Sequence, residues 1–583
     1  MNLVLIETSG NQRYIFATNK LRENVGASEL TYQVGTIVVR KAVEEITGRD
    51  VPDDLTKEPA IEKETDVEVI IATSGKSLLL VRDKINAKEI VKYVTRTALE
   101  KMPGLTVNGS ICKVKDDLSD IHNAVGEVHR RLETIRYQMP SNEQRFLRLP
   151  FVAPCATSGL PATRIYRHES LKDINDELKP YAVVSIEKQE ASNRGRNRLE
   201  ETIQSVKPNV KLIGNINELE KKFKETQWIA IIHADGNGMG EIFKNFDQHT
   251  GLRDKKCTVR QYIEKYREFS LALDECTINA AGFAIENFQN NYGAAYQKRT
   301  GKEPAGIPFI PLILGGDDLT VICDGQYALK FTYDFLTDFE SQTSQKPIIK
   351  EIARNAFGVE RLGICAGIAI IKPHYPFHQA YELAEHLLKS AKQVKKQVVQ
   401  DDGRQYPCSA LDFHIVYDST STDLDMIRDE RLTADGKKTK LCAKPYVVTE
   451  NLDGHNTNPW LQPRKFEELK KRVEAMIAPA KEDSTRRALP NSKLHEIRQA
   501  LFRGKEVADA EAKLIENRLS PEGKVQFSNV KCDDSIFFTI GDENFTHFLD
   551  AIEAVDFWKG FDNKESSEAK NQVTLSTESE GKP

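Results

Sequence analysis

The sequence has 583 residues, too many for one hydrophobic core, and its 39% hydrophobic content can build about three or four domains. Lys and Arg number 82 against 87 Asp and Glu, a net charge of −5, so no global basic field marks a free-standing nucleic-acid binder, although a local basic groove stays compatible. The nine cysteines are scattered without a C-x-x-C pair, which gives neither a zinc knuckle nor a disulfide framework and reads as reduced thiols in a cytoplasmic protein.

In chain order, residues 2–7 read as a strand, an apolar run too short for a signal peptide and without a basic flank. No segment reaches the ~18 apolar residues of a membrane span. A helix is expected over 32–47, a hairpin over 67–72 and 77–81 about Thr73-Ser74-Gly75-Lys76, a helix over 87–101 and a strand over 105–114. The same order returns further on: strand 228–233, helical region 258–288, strands 309–314 and 319–323 about Gly315-Gly316-Asp317-Asp318, helix 326–340 and strand 362–371. Helix 378–396 follows, with Ala380, Leu383, Ala384, Leu387, Leu388, Ala391 and Val394 as its apolar stripe. Strand–helix–hairpin–helix–strand is the ferredoxin-like βαββαβ order. The near-continuous apolar character of the strands fits sheets covered by helices on at least one face.

The expected fold class is therefore α+β, two ferredoxin-like units plus a helical C-terminus. The expected division is 1–145, a connecting region 146–222, a second unit 223–455, a helical domain 456–560 and a disordered tail 561–583. The connecting region looks irregular, and its run Ser192-Asn193-Arg194-Gly195-Arg196-Asn197-Arg198 reads as a solvated loop before it reads as a phosphate site. Apolar residues at three- and four-residue spacing predict helices over 465–477 and 493–519.

Chemistry concentrates at two places. Gly315 and Gly316 allow positive φ at a tight turn and leave room for a triphosphate, while Asp317 and Asp318 offer hard oxygen ligands at a sheet edge. An ordinary hairpin turn would also use Gly and Asp. Asp235 ends an apolar strand and is followed by Gly236, Asn237 and Gly238, a turn whose N–H groups could meet phosphates. In a βαββαβ sheet the first strand neighbours the hairpin, so Asp235 is expected to face Asp317 across adjacent strands. Carboxylates so placed can share two divalent ions that activate a 3′-hydroxyl and neutralise a leaving pyrophosphate. Lys392 is either a phosphate contact or a solvated lysine, and His233 reads as packed or hydrogen-bonded before it reads as a base.

With Leu-Gly-Gly-Asp-Asp at 314–318 and His-Ala-Asp-Gly-Asn-Gly-Met-Gly at 233–240, the chain resembles the palm-domain CRISPR polymerases. These are large subunits of type III effector complexes, related to GGDEF diguanylate cyclases. The segments 7–12, 21–28, 150–159 and Ala391-Lys392 add to the likeness, which spans roughly residues 1–450. The resemblance implies two palms facing each other and conversion of ATP to cyclic oligoadenylates. It implies Mg²⁺ or Mn²⁺ on Asp235, Asp317 and Asp318, and nucleotide contacts from Gly236, Asn237, Gly238, Gly315, Gly316 and Lys392. The first hairpin lacks acids, so Ser74 and Gly75 would hold an acceptor nucleotide. Expected partners are a nucleoside triphosphate, other CRISPR effector subunits with guide and target RNA, and a second copy of the chain. The likeness begins at the first palm strand, so the nuclease domain of many relatives is not expected. Asn237 stands where relatives often carry another acid, and Cys155 alone remains of their zinc motif. Two alternatives stay open, a non-catalytic nucleotide-binding scaffold and a cyclase using GTP.

Overall fold

The computed structural model describes residues 1–561 apart from 64, 141, 168–177, 214–215, 400–402, 418–422, 430–438, 451, 453–457, 482 and 484. Of the expected tail, all but Phe561 falls outside the described residues. In the first sheet, β1 (Asn2–Ser9), β2 (Val67–Thr73), β3 (Lys76–Val81) and β4 (Thr106–Lys113) lie in the order β2-β3-β1-β4, all antiparallel. Leu3 and Leu5 enter one core cluster while Val4 and Ile6 enter another, so both faces are buried. That is why these strands lack a polar alternate position.

Helices α1 (Leu21–Gln33), α2 (Lys84–Lys101) and α3 (Ile121–Gln138) accompany this sheet. The expected helix over 32–47 is the end of a longer helical stretch that starts at Leu21 and passes through a π-turn at Val34–Val38. The connecting region is corrected most. Residues 183–206 form a helix, α4 (Val183–Val206), whose polar residues are spent on a helix–helix contact with α1. A Cβ at Gly26 would lie 1.6 Å from the Lys188 carbonyl, so the two backbones touch there. Gln189 Nε2 donates to Glu23 at 3.0 Å, buried Lys188 donates to the Tyr14 carbonyl, and Arg198 pairs with Glu29 at 2.7 Å. Ser192, Gly195 and Arg198 of the polar run thus face a neighbour, while Asn193, Arg194 and Asn197 stay exposed.

The second sheet repeats the first: β5 (Ile229–Asn237), β6 (Phe309–Gly315), β7 (Asp318–Asp324) and β8 (Gly363–Ile371) run in the order β8-β5-β7-β6. It extends past β8 through β9 (Ala410–Ile415), parallel to β8, and β10 (Tyr446–Val447). Between β5 and β6 runs α5 (Val259–Thr300), 42 residues long. Thr258 opens it with a capping box, its Oγ1 accepting from Gln261 N–H while the Gln261 side chain accepts from Thr258 N–H. Helix α6 (Ala328–Thr343) follows the hairpin, and α7 (Pro347–Phe357) is an element the periodicity did not indicate. The helix expected over 378–396 is α8 (Phe377–Ala391), and a separate short turn covers Val394–Gln397.

The sheets share a seam. Ser28 Oγ donates to the Leu312 carbonyl, and fully buried Glu68 on β2 accepts from Arg260 at 2.7 Å and Arg267 at 2.6 Å on α5. Towards the C-terminus, the helix expected over 493–519 divides into Asn491–Leu501 and Lys505–Arg518 at Gly504, and a small hairpin, Phe538–Ile540 with Glu543–Phe545, joins the helices. Phe557 packs edge-on against Trp228 at 5.3 Å, which fastens this part to the start of β5. Among the described residues, no helix is long and apolar enough to cross a membrane.

Candidate active site

The second hairpin closes with two residues, Gly316 and Asp317, because Gly315 pairs with Asp318. Gly316 sits at φ 63°, a conformation that favours glycine. Asp318 therefore opens β7 and stands directly opposite Asp235 on β5, not Asp317 as the sequence suggested. Asp317 reaches the same spot from the turn. Oxygen atoms of Asp235, Asp317 and Asp318 all lie within 4.8 Å of one another, each side chain half-buried. A Cβ at Gly236 would sit 2.7 Å from Asp317 Oδ2, so glycine makes the space for that carboxylate.

Three acids this close oppose their own ionisation. Burial first, and the neighbouring Asp318 second, push the Asp317 carboxyl up to about 7, and burial also raises Asp318. The donor set is all carboxylate oxygen, which suits a hard divalent ion such as Mg²⁺ or Mn²⁺ and offers nothing to a soft metal. Lys392 forms an ion pair with Asp235, and burial followed by Lys395 pulls its ammonium down to about 8. His233 is buried with Nδ1 2.9 Å from Thr320 Oγ1, and burial lowers its pKa, so it remains neutral at pH 7.

Two expected contacts are misplaced. Strand β5 continues through Asn237, and the turn begins only at Gly238. Asn237 is fully buried and donates from Nδ2 to the Cys408 carbonyl at 2.8 Å, so its side chain is committed to the core. Gly238 lies against Phe357, where a Cβ would come within 2.7 Å of the ring. The glycine-rich run, which looked like a phosphate loop, is the end of a strand paired with β8.

Residues 228–400 match the family Cas10/Cmr2, second palm domain. This segment is similar to a second palm of that kind. No curated protein matches the sequence. By structure the chain is similar to a chain of the Csm1–Csm4 subcomplex in the type III-A CRISPR-Csm interference complex, at 13% identity, 89% of this chain, 65% of that chain and a TM-score of 0.44. It is similar also to chains of the Csm1–Csm4 cassette with pppApA (12%, 89%, 65% and 0.43) and with AMPPNP (11%, 96%, 68% and 0.42). The chain spans about 65% of the length of the first of the cassette chains it matches.

Beside the second palm's carboxylates lies a cleft of about 530 Å³ whose other wall is the first sheet. Ser74, Gly75 and Lys76 line it opposite Gly315, Gly316, Asp317 and Asp318. Thr8 holds the first hairpin down, its N–H and Oγ1 both donating to the Gly75 carbonyl at 2.8 and 3.2 Å. The sequence reading passed over Lys76, whose Nζ lies 3.4 Å from His129 Nε2. His129 Nδ1 is 2.9 Å from the Val125 carbonyl, which makes Nδ1 the protonated nitrogen and leaves Nε2 as acceptor; burial and Lys76 lower its pKa. Also missed were Asp274 and Thr277 on α5, which both bond to Gly316. Their only trace in sequence is an acid and a hydroxyl one turn apart on a long mixed helix.

Proposed function

We propose that this chain is a metal-dependent nucleotidyltransferase that joins ATP into cyclic oligoadenylate, or a related cyclic nucleotide, with release of pyrophosphate in CRISPR-type antiviral defence. The observation that carries this reading is the convergence of Asp235, Asp317 and Asp318 within 4.8 Å beside a cleft shared by two hairpins. The second-palm match of residues 228–400 supports it. In this reading residues 1–145 hold the acceptor, 223–455 catalyse and 456–560 close the structure.

Asp235, Asp317 and Asp318 would hold Mg²⁺ or Mn²⁺. Such an ion supplies activation of the attacking 3′-hydroxyl and neutralises charge on the leaving pyrophosphate. Gly315 and Gly316 leave the turn open to a triphosphate. Lys392 offers a point charge once it leaves Asp235 for a phosphate oxygen. Ser74 and Gly75 orient the acceptor nucleotide on the facing wall. Neutral His233 keeps its hydrogen bond to Thr320 and takes no proton. Effector subunits with guide and target RNA, and a second copy of the chain, are the proposed partners.

The purified chain, alone and assembled with effector subunits and target RNA, should be given each nucleoside triphosphate with Mg²⁺ or Mn²⁺ and its products weighed. ATP should yield pyrophosphate and a phosphatase-resistant product. Loss of that product in Asp317→Ala/Asp318→Ala, with folding intact, is the expected companion result. Full activity in that variant, or no product from either preparation, sinks the reading.

A further inference from the structure

We propose that Asp274 and Thr277 are positioning residues, a clamp from α5 that fixes both peptide groups of Gly316 and so aims Asp317 and Asp318. This rests on the proposed role of the acid trio.

Asp274 Oδ1 accepts from the Gly316 N–H at 2.6 Å, and Thr277 Oγ1 lies 2.6 Å from the Gly316 carbonyl. The Thr277 hydroxyl is also 3.0 Å from the Leu273 carbonyl, the ordinary back-bond of a helical threonine. Its shorter contact is the one to the hairpin. The two residues are three apart on one helix, so their side chains leave the same face. One contact holds the peptide before Gly316 and the other holds the peptide after it. No other residue of the turn is gripped from both sides in this way among the described hydrogen bonds.

Gly316 needs such a grip more than any neighbour. Without a Cβ it can occupy either sign of φ, and rotation of either flanking peptide would carry Asp317 with it. Asp317 must stay within reach of Asp235 and Asp318 to share a cation, and its carboxylate fits in a space where even a Cβ on Gly236 would intrude. The acid trio is thus fixed from two directions, by β5 behind it and by α5 above the turn. Burial raises the Asp274 carboxyl, and the Gly316 N–H and then Arg198, itself held by Glu29 at 2.7 Å and the Tyr32 ring at 3.8 Å, partly offset this. The clamp therefore lies next to the contact between α1 and α4.

The test uses the full chain and two readouts, Mn²⁺ affinity by electron paramagnetic resonance and hydrogen exchange of the 312–320 segment. Asp274→Ala should weaken Mn²⁺ binding by about 10–100-fold, the usual effect of removing a partner just outside a metal's ligands, and should speed Gly316 exchange. Asp274→Asn keeps an acceptor oxygen and should stay near wild type in both. Thr277→Val should show a smaller loss, restored by Thr277→Ser. If Asp274→Ala fails to fold, the valine and serine pair at 277 decides alone. Wild-type affinity and exchange in Asp274→Ala, or in Thr277→Val where that pair decides, would overturn the clamp. So would an Asp274→Asn as impaired as the alanine variant. If wild type and Asp317→Ala/Asp318→Ala bind Mn²⁺ equally, the fault lies with the trio itself, a result distinguishable from failure of the clamp.

Discussion

The two hairpins that meet across the cleft occupy the same place in the same topology, yet their charges differ in kind. On the second palm, Asp318 at the head of β7 pairs in register with Asp235, acid against acid. On the first sheet, Lys76 at the head of β3 pairs in register with Glu7, base against acid. Glu7 forms its ion pair with Arg136 at 3.3 Å. The first hairpin thus places a cation where the second places an acid. The second keeps an excess of acid even with Lys392 on Asp235, and burial drives the carboxyls of Asp317 and Asp318 towards protonation. Scaffolds of like topology can therefore carry different charge; in the proposed function the first side holds a nucleotide and the second depends on a cation.

The largest effect expected on this contrast is from Asp317→Ala/Asp318→Ala, which should cut product formation by about a thousandfold or more. Asp235→Asn, which keeps the shape of the third acid but not its charge, should cost about a hundredfold in the same assay. Lys76→Ala addresses the other hairpin and should raise the KM for ATP about tenfold with a smaller change in kcat, separating binding from chemistry. Lys76→Asp would go further and set acid against acid at Glu7. A new weak Mn²⁺ site in titration would then confirm that charge balance, not backbone shape, separates the hairpins.

The smallest effect concerns pH. A carboxyl whose folded-state pKa is raised binds its proton more tightly when folded than when unfolded. Its contribution is complete below the unfolded pKa, near 3.8 for Asp317, and is lost as pH rises through the folded value of about 7. Without divalent metal, the melting temperature should fall as pH climbs through that window, and added Mg²⁺ should restore it. Asp317→Asn/Asp318→Asn should flatten the dependence. A metal-free melting curve that rises across the window would contradict the assigned direction.

Much of this was legible because it is local. Apolar runs bounded by turn residues marked the four strands of the first sheet and four of the six in the second, and two glycines before two acids marked the hairpin. What failed was local evidence with two meanings. Gly236-Asn237-Gly238 looks like a loop, but the neighbouring strand β8 supplies partners that keep β5 extended through Asn237. Ser192–Arg198 looks like a solvated loop, but it is helical, and Gly195 lets α4 approach Glu29 so that one face of the run packs while Asn193, Arg194 and Asn197 stay exposed. Asp274 gave no warning, since one of several acids in a 42-residue helix acquires meaning only from what lies opposite it.

By itself the sequence determined the strand and hairpin pattern, the order of elements and the kinds of donor atom available, because periodicity and turn chemistry act over a few residues. Only the tertiary structure decided that Asp235 faces Asp318, that Lys392 rests on Asp235, and that α5 grips Gly316. Those juxtapositions join residues dozens of positions apart, and they are fixed by sheet order, register and helix packing acting together, which no short window of sequence contains.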